Sequence, residues 1–338
     1  MASMNIFKNS AFSTMSLSGV VQKLDYVPQL LGSLNLFEVE KVRSRHIFVD
    51  RTEGGLTLIP TSADGAPPED LVKDGRDVVA LKTTRLAKRF TLYAHELDGI
   101  RATGSESELM QVQREYAKRL GRIRADMELT HEFHRLGALQ GVLLDANGTD
   151  VIYDYSAEFE EAIPAAIDFN LGGAGTNVQK VCKDLVRSMT RSGKGALAGA
   201  SIHALAGDDF YDDLVSHPNV EKFYLNQAAA RDALRDQGQV FESFRIGGIT
   251  YHNYRGTDDN ATVAVPTDEA KFFPVGGRDV FKVAYSPLEA MEYVNTPGEK
   301  VYAMNVPDRD RNMWTKGEIY SYPLYVCQRP SVLRRANR

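Results

Sequence analysis

The chain has 338 residues, 43% of them hydrophobic and 25% charged, with a formal net charge of −5. That length can supply two core-bearing lobes, or one lobe with large excursions. No run of about 18 apolar residues occurs, which excludes a membrane-spanning helix, and a mild negative charge of interspersed signs argues against a dedicated nucleic-acid binder.

The opening "MASMNIFKNSAFSTMSLSGVVQKL" lacks a continuous apolar core and a small-residue cleavage site, so no signal peptide is expected. Cys182 and Cys327 form no CxxC pair and read as free thiols of a reducing compartment. Residues 1–41 alternate Ser/Asn-rich pieces with short apolar clusters. They read as an extended arm with a short helix near 27–34. "RHIFVD" and "LTLIP" are β-type runs around the turn "RTEGG", and "DVVALKTTRLAKRFTLYA" resumes β alternation after a Pro- and Gly-rich stretch. Two long strands with a polar tip make a β-arm, which has too little apolar surface to stand alone.

Residues 105–140 are the clearest helix. Ser105 with Glu108 forms a capping box. Leu109, Val112, Tyr116, Leu120, Ile123 and Met127 recur at steps of three and four, within about 40° of one line on the wheel. Arg114, Glu115, Lys118, Arg122, Arg124, Glu128, Glu132 and Arg135 fall off that line. Asp126, Glu128, Glu132 and Arg135 are therefore expected to face outward. The helix would run about 50 Å, the length of a strut.

Beyond it, "GVLLDANGTDVIYDY" is a hairpin turning at "DANGTD". A helix follows at 176–192, then a buried strand in "ASIHALAG" and a short helix in "DDFYDDLVSH". A polar helix is expected at 226–238. Strands at 240–246 and 249–255 flank Gly247-Gly248, and an apolar strand lies near 270–275. After irregular Pro- and Gly-rich sequence comes the strand pair in "EIYSYPLYVCQRPSVL". Without a regular βαβ rhythm, the class is α+β.

The stretch "ADMELTHEFHR" invites a metal reading. A zincin, however, needs H-E-x-x-H on one helical face, whereas His131 and His134 are three apart with Glu132 pointing about 100° away. The wheel places His134 on the apolar stripe and His131 at its margin. A metal-dependent enzyme using these histidines with Glu128 or Glu132 is the alternative in another function class. "NLGGAGTN" lacks the third glycine of a dinucleotide fingerprint. "RSGKGALAG" lacks both the leading glycine and the Ser/Thr of a P-loop, and no GxSxG elbow occurs. Asp208-Asp209 and Asp212-Asp213 open a short helix, where carboxylates suit the dipole. No catalytic constellation, metal site or cofactor site emerges.

The segments "IHALAGDDFYDDLVSHPNVEKFYL", "FESFRIGGITYHNYRG", "PTDEAKFFPVG", "SPLEAMEYVNTPGEKVYAM" and "YSYPLYVCQRPSVL" occur in this order. Together they resemble the tailed-bacteriophage major capsid protein family typified by the phage lambda head protein (gpE). The resemblance implies the tailed-phage, HK-ninety-seven-like capsid fold, which encapsulins share. Its parts would be an N-terminal arm (1–41), an extended β-loop (42–95), a peripheral domain (96–176 and 266–338) holding the spine helix 105–140, and an axial domain (177–265).

It further implies a non-enzymatic shell protein forming icosahedral hexamers and pentamers around phage double-stranded DNA, located in the virion and, during assembly, in the host cytoplasm. Its partners would be itself, a separate scaffolding protein and a portal, with a decoration protein left open. DNA would be enclosed without sequence-specific binding, and an encapsulin-type nanocompartment is the alternative within the fold. Candidate inter-subunit contacts on this reading are Arg51, Glu53, Lys82, Arg85, Lys88, Arg89, Glu128, His131, Glu132 and Arg135.

Overall fold

The structure is a computed structural model, described here over residues 30–52, 76–97, 108–173, 175–221, 243–254 and 263–338. In chain order the elements begin with α1 (Leu30–Ser33), β1 (Glu38–Lys41), β2 (His46–Thr52), β3 (Arg76–Lys82), β4 (Leu86–Tyr93), α2 (Ala94–Leu97) and the long α3 (Glu108–Gln140). There follow β5 (Val142–Leu144), β6 (Val151–Asp154), α4 (Tyr155–Glu158), β7 (Ile167–Asp168), α5 (Val178–Ser192), β8 (Ser201–Ala206) and α6 (Asp208–Ser216). The last are β9 (Ser243–Ile246), β10 (Ile249–Asn253), β11 (Glu269–Val275), β12 (Phe281–Tyr285), β13 (Tyr302–Pro307), β14 (Trp314–Ser321), β15 (Pro323–Cys327) and β16 (Arg334–Asn337). Helices and strands mix without βαβ repetition, as the α+β reading expects.

The largest sheet has six strands in the order β7-β16-β11-β8-β10-β9. It spans chain segments that the resemblance divides between axial and peripheral parts, because β11 pairs antiparallel with β8 across residues 201–206 and 270–275. Its apolar strands are buried: Ala204, Leu205, Phe272 and Phe273 have no exposed surface. The Gly247-Gly248 turn joins β9 to β10 with both residues at positive φ, the left-handed region that glycine enters without a Cβ clash. α5 starts at Asn177, whose side chain accepts from the Lys180 N–H, an N-cap.

A second sheet, β13-β14-β4, packs under α3. Strand β14 alternates strictly, burying Thr315, Gly317, Ile319 and Ser321. Gly317 lies beneath Phe90 and Tyr116; a Cβ there would meet Phe90 Cε1 at 2.4 Å. The missing side chain lets Phe90 and Tyr116 pack edge to face at 5.0 Å. A third sheet, β1-β12-β15, places the all-buried "PLYVC" strand against the later part of α3.

Two expectations need correction. Residues 77–94 read as one returning arm strand, yet the run breaks at Thr83–Arg85. Only β3 pairs with β2; β4 pairs with β14. Strands β12 and β13, in sequence read as irregular, form ladders with β15 and β14, because pairing partners far along the chain outweigh local Pro and Gly signals. Ser105 of the capping box, the whole of the polar helix at 226–238 and "LTLIP" lie outside the described residues.

Candidate inter-subunit surface

Helix α3 has two regimes. Through its middle only the apolar stripe is covered, with Tyr116, Leu120, Ile123 and Met127 buried while Arg114, Lys118 and Arg122 are exposed. From Met127 on it enters the core and is buried on nearly every side. The outward-facing expectation therefore fails for Glu128, Glu132 and Arg135, which are 4%, 0% and 8% exposed. It holds for Asp126, a half-exposed partner of Lys88 on β4 at 2.5 Å. The helix ends at Gly141, whose φ of +83° closes it in the left-handed conformation usual after a helix.

Three of the buried polar groups of this segment, Glu128, His131 and Glu132, have partners distant in sequence, whereas His134 Nδ1 is buried without a hydrogen-bond partner among the described residues. His131 Nδ1 lies 3.0 Å from Tyr325 Oη, and Nε2 lies 3.2 Å from Ser321 Oγ. Ser321 donates to the Lys300 carbonyl at 2.5 Å, so its oxygen is free to accept from Nε2–H. That leaves Nδ1 to accept from the Tyr325 hydroxyl, which in turn can accept from Tyr285 at 3.3 Å. The result is one directional chain through a neutral imidazole. Burial, reinforced by the Lys300 and Arg135 charges, holds His131 well below the usual histidine range. Burial likewise pushes His134 down to about 4.

The Glu132 carboxylate accepts from the backbone N–H of Leu31 at 2.8 Å and of Gly32 at 3.2 Å, and pairs with Arg135 at 3.0 Å. It thus caps α1 from a hundred residues away, while Leu30 and Leu31 bury beside it. Burial raises its pKa against the opposing pull of Arg135 and the two amides. Glu128 pairs with Lys300 at 2.6 Å. Both His131 nitrogens and both carboxylates are therefore engaged within the chain, which gives the metal-enzyme reading no ligand set. Among the described residues no cluster of three His, Cys, Asp or Glu groups could hold a metal.

The β2–β3 arm has the opposite character. Its inner face, with Ile47, Val49 and Leu81, is buried against the body. The register Ile47↔Leu81 and Val49↔Val79 puts Phe48, Val78 and Ala80 on the other face. There Phe48 is 68% exposed and Val78 is 52% exposed. At the arm's base, the Lys82 N–H donates to Tyr153 Oη at 2.9 Å, and that hydroxyl donates to the Lys82 carbonyl at 3.1 Å.

The model of the family described as phage major capsid protein E matches residues 13–338. The chain belongs to that family. It is 25% identical to the major capsid protein of Salmonella phage Felix O1 (isolate Felix O1-VT1) over 361 aligned positions, covering 96% of each chain. It is 26% identical to that of Pseudomonas phage KPP10 over 305, covering 83% of this chain and 85% of the other. The fold is similar to a capsid protein from a prophage of E. coli CFT073, with a TM-score of 0.56 and 15% identity over 96% and 98% of the two chains. It is also similar to the mature capsid of bacteriophage PhiM1, with a TM-score of 0.52 and 10% identity over 93% and 88%.

As a major capsid protein, the chain is a structural component of the virion, and its functional surface is the part that can meet other copies. Of the sequence-derived candidates, Lys82, Arg85, Lys88 and Arg89 are exposed. Arg89 stands opposite Glu318 in the ladder, and Arg85 faces Glu289. The backbone of Arg51 pairs with Asp77, and Glu53 lies outside the described residues. Glu128, His131, Glu132 and Arg135 are interior, so they offer a neighbour no surface. Sequence reasoning missed the exposed apolar residues of the capsid protein: Phe48 and Val78 on the arm, and Met291, 93% exposed, with Val294 in the loop after β12. Phe48 was legible in "RHIFVD", where it alternates with buried Ile47 and Val49.

Proposed function

We propose that the capsid protein assembles, as hexamers and pentamers, into a closed icosahedral shell around phage double-stranded DNA, with the outer face of the β2–β3 arm lying on an adjacent copy. The observation that carries this reading is the arm itself. It has one face buried by its own chain and an apolar second face that the monomer leaves uncovered. Repeated around a shell, one modest contact per copy becomes multivalent and effectively irreversible.

Exposed charges such as Lys82, Arg85, Lys88 and Arg89 would set register more than affinity. The role is mechanical, not catalytic. The interior meets DNA through a mildly acidic protein without sequence-specific grip, so the genome can slide in and leave. Assembly takes place in the host cytoplasm with a separate scaffolding protein and a portal.

Co-expression with a scaffolding protein, followed by negative-stain microscopy, tests this. Shells tens of nanometres across are expected. A chain that stays monomeric under all such conditions contradicts it.

A further inference from the structure

Helix α5 has two unlike faces. Val178, Cys182, Leu185 and Met189 recur at steps of four and three and are buried, with Cys182 Sγ 3.2 Å from Tyr251 Oη of β10. The opposite face carries Lys180, Lys183, Arg187 and Arg191, all exposed, and the exposed Lys194 continues the row just past the helix end. On the wheel the four helical cations lie within about 80° of arc. From Lys180 to Arg191 the row runs about 16 Å, the axial length of roughly five phosphates on one DNA strand.

The chain itself neutralises little of this row. Asp184 pairs with Arg187 at 3.0 Å, whereas Lys180, Lys183, Arg191 and Lys194 have no ion pair among the described residues. At the C-terminal end of α5, the buried Arg334 guanidinium donates to the Ser188 and Ser192 hydroxyl oxygens at 3.1 and 2.7 Å. Its other acceptors are the carbonyls of Ser188, Ser331 and Leu333. Arg334 therefore adds a further positive charge there and brings no carboxylate. A chain of net charge −5 has gathered cations along one helix.

The row also lacks an apolar centre. Phe48, Val78, Met291, Met313 and the other large exposed apolar residues lie elsewhere, and none falls between residues 175 and 221. A protein interface is anchored by apolar and aromatic residues at its core, whereas a polyanion is held by phosphate neutralisation alone. We propose that the outer face of α5 lines the inside of the shell and lies along the phosphate backbone of the enclosed duplex. The inference rests on the DNA-enclosing role proposed above. Lys and Arg contacts to phosphate carry no sequence information and weaken with salt, so a few per copy seat the duplex against the wall and still let it slide.

The test measures binding of a random-sequence duplex to the unassembled full-length chain by fluorescence anisotropy, at salt from about 50 to about 200 mM. Five cations less one carboxylate predict a slope of log affinity against log salt of about −3.6. Lys180→Gln, Lys183→Gln and Arg191→Gln together remove exposed, unpaired side chains, and should make that slope shallower by about 2.7. Arg309→Gln, Arg311→Gln and Lys316→Gln, an equal loss of charge around the β13–β14 turn, should leave it unchanged. A slope that the α5 variant does not alter, or that both variants reduce alike, overturns the assignment. So does an α5 variant that binds duplex like the wild type yet forms no shells, because the row then meets an acidic protein segment. In shells, acetylation of Lys180 and Lys183 should be several-fold slower with DNA inside than after its release, and equal rates would remove the row from the inner wall. Should the wild-type chain form no shells, the role proposed above fails while duplex binding by α5 stands.

Discussion

Glu132, deep in the long helix α3, accepts a 2.8 Å hydrogen bond from the backbone N–H of Leu31, 101 residues earlier. One buried carboxylate thereby fastens the short helix α1 to the helix that organises the body. Replacing Glu132 with Ala strands the Arg135 guanidinium and two backbone N–H groups. The expected cost is about 3–5 kcal/mol of subunit stability, read as a lower denaturation midpoint, together with faster proteolysis ahead of Leu31. An unchanged midpoint and unchanged cleavage would contradict the anchor.

Acid should destabilise the subunit through its buried histidines. His131 is held well below its ordinary range, and His134 and His252 are each at about 4, all by burial first. His203 is lowered as well and shares a 2.9 Å nitrogen–nitrogen hydrogen bond with His252. A folded pKa below the unfolded value of about 6.5 means that the unfolded chain binds more protons between the two values. Stability is then complete above about pH 6.5 and falls as pH drops toward 4, by roughly 3 kcal/mol for His134 alone. Denaturation midpoints across pH 4–7 should show this slope, and His134→Leu should flatten it. A slope identical in the variant would contradict the assignment. Because both α3 histidines lie inside the subunit, their effect on assembly runs through subunit stability and not through a contact with a neighbour.

A side chain at Gly141 should be destabilising. Its φ is +83°, and a Cβ would lie 2.2 Å from Ile163 Cδ1. Gly141→Ala is expected to cost about 1–2 kcal/mol, chiefly from left-handed backbone strain, since the Ile163 methyl can move aside. Urea unfolding measures it, and a loss under about 0.5 kcal/mol, as at an ordinary surface site, would contradict the packing.

Phe48→Ser should separate folding from assembly. An exposed side chain on the outer face of the arm contributes little to the monomer, so unfolding should move by no more than about 0.5 kcal/mol. Shell yield should collapse, because the same substitution is repeated at every copy. Sedimentation of wild-type and variant proteins compares the two, and full shell yield from Phe48→Ser would remove the arm face from the interface.

The legible parts of this fold are those with local periodicity. The stripe Tyr116, Leu120, Ile123 and Met127, the "DANGTD" hairpin, the Gly247-Gly248 turn and the apolar run of β11 each declare themselves within a dozen residues. What stayed hidden is set by distant partners. Glu128, Glu132 and Arg135 look like a solvated face until Lys300, Leu31 and Tyr325 are brought beside them. The single arm strand read from 77–94 splits only because β14 captures its second half. The metal reading of His131 could not foresee that Ser321 of β14 and Tyr325 of β15 would take both of its ring nitrogens. Phe48 could be seen to alternate with Ile47 and Val49, but the strand pattern alone does not say which of the two faces the body covers.

The most direct measurement is a reconstruction of shells assembled from this chain at a resolution that places side chains. The account predicts a closed icosahedral shell in which Phe48 and Val78 are buried against an adjacent copy. A closed shell that leaves both residues open to solvent would contradict it.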